Sequence, residues 1–248
     1  MNQNQEIKMQ LLKSFGICDD KKTVDFCREA YKFIMENETP TPKLLPLCPV
    51  SVEPVAVDLG LPSGTLWCDR NVGANSPYDY GAFFSWGNID PHYPNKEHMD
   101  WGDDDEAFNY RFNSDTYDET EGAKLEGDID FAHDAARANM GEPWQMPTAD
   151  QFQELFDNCT WERKTTNNVN GYLVTSKING ISIFFACSGY GYGAAWSIRG
   201  SHGIYWSASF VSSRYARYLY FYSGGVSPQY NDYRYYGFAV RAVQNIVK

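Results

Sequence analysis

No window of the chain approaches the roughly 20 consecutive apolar residues of a membrane-spanning helix, so a membrane is not an expected partner. Positive charge is scarce: 21 Lys and Arg stand against 32 Asp and Glu, a formal net charge of −11. Nucleic acids are held largely by Lys and Arg on phosphates, so a nucleic-acid partner is not expected, nor is an anionic lipid surface. Cysteines are few and far apart. Cys18, Cys27, Cys48, Cys68, Cys159 and Cys187 include no Cys-x-x-Cys pair, and 248 residues can bury a core without bridges, so they read as mostly reduced core residues. His92, His98, His133 and His202 are scattered, which gives no expected metal site and no expected cofactor. Nor is there a Gly-x-Ser-x-Gly elbow of a serine hydrolase, and no catalytic residue is nominated. The opening Met1-Asn2-Gln3-Asn4-Gln5 lacks the basic start and apolar stretch of a signal peptide, so the expectation is a chain cytoplasmic as synthesised.

What is present is an α+β pattern behind a small helical appendage. Glu6 to Asn37 reads as two short amphipathic helices, the second carrying Val24, Cys27, Tyr31 and Ile34 at helical spacing. Two such helices bury little by themselves, so they pack on the main body, on another copy or on a docking partner. Thr39-Pro40-Thr41-Pro42, with Pro46, Pro49 and Pro54, marks an extended connector. The expected organisation is therefore a helical segment over 1–38, a Pro-rich linker over 39–54 and a ligand-binding domain over 55–248. Within that domain Thr65 to Cys68 and Phe83 to Trp86 are strand-like, and the acidic stretch Asp90 to Asp128 reads as a long surface insertion. Its run Asp103-Asp104-Asp105-Glu106 lacks the ligand spacing of a calcium loop and reads as solvated. Two helices follow, Asp130 to Asn139 ending at Gly141, and one opened by Thr148 with Gln151 at capping-box spacing. Strands Tyr172 to Lys177 and Ile181 to Ala186 flank Asn179-Gly180, a pair suited to a type I′ turn. Further strands are expected over Tyr205 to Ser209, Arg217 to Tyr222 and Phe238 to Val243, giving a mainly antiparallel sheet.

The excess to be explained is tyrosine. Half of the chain's 18 tyrosines lie between Gly203 and Phe238. In Arg217-Tyr218-Leu219-Tyr220-Phe221-Tyr222 the alternation sends Leu219 and Phe221 to a core and leaves Tyr218, Tyr220 and Tyr222 sharing a face, expected to be the solvent side. Tyr230, Tyr233, Tyr235 and Tyr236 follow, set among Asn231, Asp232 and Arg234. A Tyr offers large contact area and a hydroxyl while freezing only two torsions, and neighbouring Ser, Gly and Asn supply adaptable hydrogen bonds. Cross-strand filler is the competing explanation, but it does not account for tyrosines interleaved with turn residues. Ser188-Gly189-Tyr190-Gly191-Tyr192-Gly193 has the glycines of a phosphate cradle but no following helix, and reads as loop or sheet edge.

Ile204-Tyr205-Trp206-Ser207-Ala208-Ser209, Leu219-Tyr220-Phe221, Ser227-Pro228-Gln229 and Tyr236-Gly237-Phe238-Ala239-Val240-Arg241 together resemble the variable proteins of diversity-generating retroelements. Upstream, Trp144 to Thr148 and Val57 to Leu61 resemble the related Fibrobacter major paralogous domain. The resemblance implies a C-type lectin-like fold of the formylglycine-generating-enzyme-like subclass and a variable region at about 203–238. There a reverse transcriptase copies a template and mutates its adenines. Diversified positions then carry residues reachable from an adenine-rich Asn codon, a set without Lys, Glu, Gln, Met or Trp. Ile204, Phe210, Val211, Tyr215, Tyr218, Tyr220, Tyr222, Gly225, Tyr230, Asn231, Asp232, Tyr233, Tyr235 and Tyr236 belong to that set and are the expected ligand-binding residues. Trp206, Leu219, Phe221, Pro228, Gln229, Gly237 and Phe238 are the expected fixed scaffold. The cysteine pair of the enzymatic fold relative is missing near the C-terminus, so a binding protein for a protein or glycan ligand is expected. Many relatives carry an export or anchor signal; without one, display on a phage virion is the expectation. The alternative is a carbohydrate-binding or adhesin-type module with a fixed aromatic site.

Overall fold

The computed structural model describes residues 53–93, 112–193 and 195–245, all within the unit Glu53–Lys248. The expected N-terminal helices, and the linker up to residue 52, lie outside the described residues. Among the described residues the fold is mostly antiparallel sheet with three short helices. None of those helices is long and apolar enough to cross a membrane.

Strands β1 (Ala56–Asp58), β2 (Leu66–Asn71) and β3 (Phe83–Phe84) come first. Helix α1 (Ser114–Tyr117) and the 3-10 turn Gly122–Lys124 follow. This part of the acidic stretch is not purely surface as expected: Phe112 and Tyr117 are buried, and the Tyr117 hydroxyl donates to the Trp86 carbonyl at 2.7 Å. A charged sequence average hid two anchors. Helix α2 (Ala135–Met140) starts later than expected, because the Asp134 side chain accepts from Arg137 N–H as its cap; Gly141 ends it as expected.

Helix α3 (Ala149–Asn158) carries the capping box expected from sequence. Thr148 Oγ1 accepts from Gln151 N–H at 3.2 Å, and Gln151 Oε1 accepts from Thr148 N–H at 2.9 Å. Gln151 also donates to Thr65 and Asn245. Thr148→Ala should therefore lower stability by about 1 kcal/mol in urea denaturation, an effect that Thr148→Ser should largely spare.

Next come β4 (Cys159–Thr166), β5 (Val169–Ser176) and β6 (Ser182–Ala186), an antiparallel meander. The β5–β6 hairpin is present, but its loop is not the expected type I′ pair: only Gly180 has positive φ (+74°). Asn179 is held otherwise, its Oδ1 accepting from Ile181 N–H and its amide donating to the Asp58 carbonyl. The turn with two positive φ values joins β4 to β5, at Asn167 (50°) and Asn168 (63°), where two residues separate the pair Thr166 and Val169.

The last strands are β7 (Tyr190–Tyr192), β8 (Ala195–Ser197), β9 (Gly203–Phe210), β10 (Tyr215–Tyr222), β11 (Gly225–Tyr233), β12 (Phe238–Ala239) and β13 (Arg241–Gln244). A five-stranded sheet runs β11-β10-β9-β12-β3, and a three-stranded one β1-β2-β13. The larger sheet carries apolar clusters on both faces. Ile204, Trp206, Ala216, Tyr218 and Phe238 join one cluster with Trp86, Trp144 and Met146. Tyr205, Leu219, Phe221 and Ala239 join the other with Trp67, Phe152 and Phe185. That is why six consecutive residues of β9, Gly203 to Ala208, are buried: a strand covered on both sides loses its polar alternation. Cys68, Cys159 and Cys187 are free and buried, and burial pushes each thiol up to about 11.

Candidate functional site

The tyrosine surface begins at the free edge of the five-stranded sheet. Strand β11, which contains Pro228, was not among the expected strands. It is an edge strand, and between the pairs Tyr218–Tyr230 and Tyr220–Ser227 it bulges, so that Pro228 and Gln229 together oppose Leu219. A bulge on an edge is where a residue without an N–H fits. Gln229 pins it: its carbonyl accepts from Arg217 and its amide donates to Asp150 at the start of α3. The bulge sets which tyrosines meet.

Ring contacts then run without a break. Tyr218 meets Tyr230 at 5.6 Å and Tyr220 at 6.2 Å between centroids. Tyr220 stacks with Tyr222 at 5.4 Å, and Tyr222 lies nearly parallel to His202, 4° between planes. On the other side Phe238 links Tyr218 to Tyr236, and Tyr236 meets Tyr235 at 4.8 Å. Tyr235 stacks on Tyr233, which packs on Tyr215 at 4.7 Å. Within this row, Tyr218, Tyr220, Tyr230, Asp232, Tyr236 and Ile204 line a concavity of about 230 Å³ with Tyr190, Ile198 and Phe238.

Two expected display residues are not displayed. Tyr218 and Ile204 are each only 4% exposed. Alternation did put Tyr218 on the face away from Leu219, but that face is itself covered, by Trp206, Phe238 and Tyr230. Both residues form the floor of the concavity. Tyr222 and Tyr230 are exposed, and Tyr220, Tyr233, Tyr235 and Tyr236 half-buried. Phe210, half-buried, packs on Trp86 and under the Arg234 guanidinium. Val211, Gly225 and Asn231 are exposed but do not line the concavity.

The loop bearing Tyr233, Tyr235 and Tyr236 is anchored by the residue in its middle. Arg234 is fully buried; its guanidinium donates to the carbonyls of Leu125, Ser213 and Gly122 and lies over the Trp86 ring. With Arg234 turned inward, its tyrosine neighbours are held at the surface.

Sequence reading missed Tyr190, Tyr192, Ile198 and His202. Tyr190 and Tyr192 sit in the β7–β8 hairpin, in line with the expected loop or sheet edge, and both contact Tyr236 at 5.4 Å. The docking depends on glycine. Gly191 and Gly237 exchange backbone hydrogen bonds of 2.8 and 2.9 Å, and a Cβ at Gly237 would meet the Phe112 ring at 2.5 Å. The alternation Gly189-Tyr190-Gly191-Tyr192-Gly193 was the available signal. Ile198 has φ of 51°, a left-handed conformation costly for a β-branched residue, and such strain gathers at ligand sites.

Burial raises the phenols of Tyr218, Tyr220, Tyr235 and Tyr236. Tyr218 is pushed well up by burial, then by the charge of Asp232 and by neighbouring phenols; Tyr236 rises through burial and then Tyr235. Burial also raises Asp232, although its carboxylate accepts from Tyr233 N–H at 2.8 Å. Burial and then Arg163 lower His202, favouring a neutral ring against Tyr220 and Tyr222. The site thus combines phenol donors, aromatic faces and one carboxylate. A larger concavity of about 510 Å³, lined by Ser85, Asn88, Thr116, Glu121 and His133 among others, offers scattered polar groups and no tyrosine. Among the described residues no group of three or more His, Cys, Asp or Glu side chains is placed to hold a metal ion. Compared with protein-family models, curated proteins and solved structures, the chain matches none.

Proposed function

We propose that this chain is a non-enzymatic ligand- or receptor-binding protein of the diversity-generating-retroelement type, with a C-type lectin-like fold, and that its tyrosine surface is the diversified site. The observation that carries the reading is the partition of the C-terminal segment. Trp206, Leu219, Phe221 and Phe238 are at most 1% exposed, whereas ten tyrosines between Tyr190 and Tyr236 form one ring network around a concavity at the sheet edge. A rigid floor with aromatic, hydroxyl-bearing residues above it is the composition of a recognition surface. The resemblance of Ile204 to Ser209 and of Tyr236 to Arg241 to the variable proteins supplies the diversification.

DNA sequencing around the gene tests this. The expected result is a near-identical repeat beside a reverse-transcriptase gene, differing at adenines in the codons of residues such as Tyr220, Tyr222, Tyr230, Tyr233 and Tyr235. The codons of Trp206, Leu219, Phe221, Gly237 and Phe238 should be unchanged. No repeat, or differences spread evenly over both sets, refutes the diversified reading.

A further inference from the structure

Asp232 is the one charged side chain lining the concavity. One of its oxygens takes the Tyr233 N–H. The side-chain ion pairs of the described residues join Arg70 to Asp69, Lys124 to Glu121, His133 to Asp130 and Arg137 to Glu142, and none reaches Asp232. A half-buried carboxylate without a cation is costly, and the cost is relieved by a ligand that brings one. Around it stand the rings of Tyr190, Tyr218, Tyr220, Tyr230 and Tyr236. Aromatic faces carry the negative part of the ring quadrupole and attract cations, most strongly where water is excluded.

We propose that the concavity binds an organic cation, an ammonium or guanidinium group held by the phenol rings and the Asp232 carboxylate. This inference rests on the ligand-binding reading above and names the chemistry of the ligand. Size and charge agree with it. About 230 Å³ is below the roughly 300–1,000 Å³ of pockets for drug-sized ligands, so it admits one head group or one side-chain tip rather than an oligosaccharide. A net charge of −11 draws cations toward the protein and repels anions. The strained backbone at Ile198 places an apolar side chain in the lining of the concavity. The cation has two plausible sources, a free quaternary ammonium compound or a Lys or Arg side chain of a protein ligand.

Calorimetric titration of the full chain decides it, with choline, Nα-acetyl-lysine amide and Nα-acetyl-arginine amide as cations. The controls are 3,3-dimethyl-1-butanol, the uncharged isostere of choline, and methyl glucoside. At least one cation should bind with Kd on the order of 1 mM, about tenfold more tightly than the uncharged isostere. Choline binding alone points to a free quaternary ammonium ligand; binding of the amino-acid amides points to a protein side chain. Asp232→Asn should weaken binding about tenfold. Should that variant fold poorly, the comparison of choline with its isostere on the unaltered protein decides the matter. No cation binding, or equal binding of isostere or glucoside, overturns the inference. Because the retroelement test is read from DNA alone, that failure leaves the broader function to be judged separately.

Discussion

Trp206→Ala should lower the unfolding free energy by about 3–5 kcal/mol, the range for truncating a fully buried large aromatic. Trp206 is 0% exposed, stacks on Phe238 with centroids 4.1 Å apart and meets Tyr218 edge-on. Its indole N–H donates to the Phe84 carbonyl at 2.8 Å, a bond across the sheet to β3. Alanine removes the ring, opens a cavity under Tyr218 and Phe238, and leaves that carbonyl without its donor. Because those two neighbours floor the concavity, ligand affinity should fall as well. By contrast, Tyr230→Asn, at a residue 53% exposed on the edge strand, should change stability by no more than about 0.5 kcal/mol. Urea unfolding followed by far-ultraviolet circular dichroism reads both values. A surface built to vary needs this asymmetry: change must be cheap above the floor and expensive within it. Comparable losses from both substitutions would show that the tyrosines are core filler.

How much of this could be read beforehand depended on whether the signal was local. The capping box of Thr148 and Gln151 was legible because those two side chains answer two backbone N–H groups only a turn away. The alternation in β10 correctly separated Leu219 and Phe221 from the tyrosines, since strand geometry alone decides which residues share a face. It could not say what covers a face. Tyr218 is buried by side chains from β9, β11 and β12, and that information lies up to 20 residues away. The same limit hid Tyr190 and Tyr192, whose place beside Tyr236 is fixed by a glycine bridge to Gly237. Asn179-Gly180 reads as a type I′ turn because glycine adopts positive φ at no steric cost, and Asn167-Asn168 was not singled out. Yet the actual pairing register gave that turn to the two asparagines. Strand β11 was missed, and its Pro228 is admissible only at a bulged edge position. The fold class was legible, then, wherever periodicity carried it, and the concavity was not, because it is assembled from four separate segments.

The second large effect is expected at Arg241. This residue is 0% exposed and lies over the Phe185 ring with no carboxylate against it. Its charge is met by neutral acceptors: Nε donates to Asn71 Oδ1 at 2.9 Å, Nη1 to the Cys68 carbonyl at 3.0 Å and Nη2 to the Phe184 carbonyl at 2.7 Å. Burial lowers its pKa, but a guanidinium starts so high that it keeps its proton. The acceptors belong to β2 and β6, strands of two different sheets, so one side chain on β13 ties the two sheets together. Asn71 extends the network, its amide donating to the Tyr205 hydroxyl, whose pKa burial pushes up to about 12. Arg241→Ala strands three buried acceptors at once and should cost about 3–5 kcal/mol. Arg241→Lys keeps the charge but not the planar fork, and should recover only part of the loss. In urea the midpoint should fall for both variants while the slope stays that of the parent, since the surface exposed on unfolding is nearly unchanged. Near-parent stability of Arg241→Ala would mean that water replaces the guanidinium at all three acceptors, and that the sheets are held together by their apolar contacts alone.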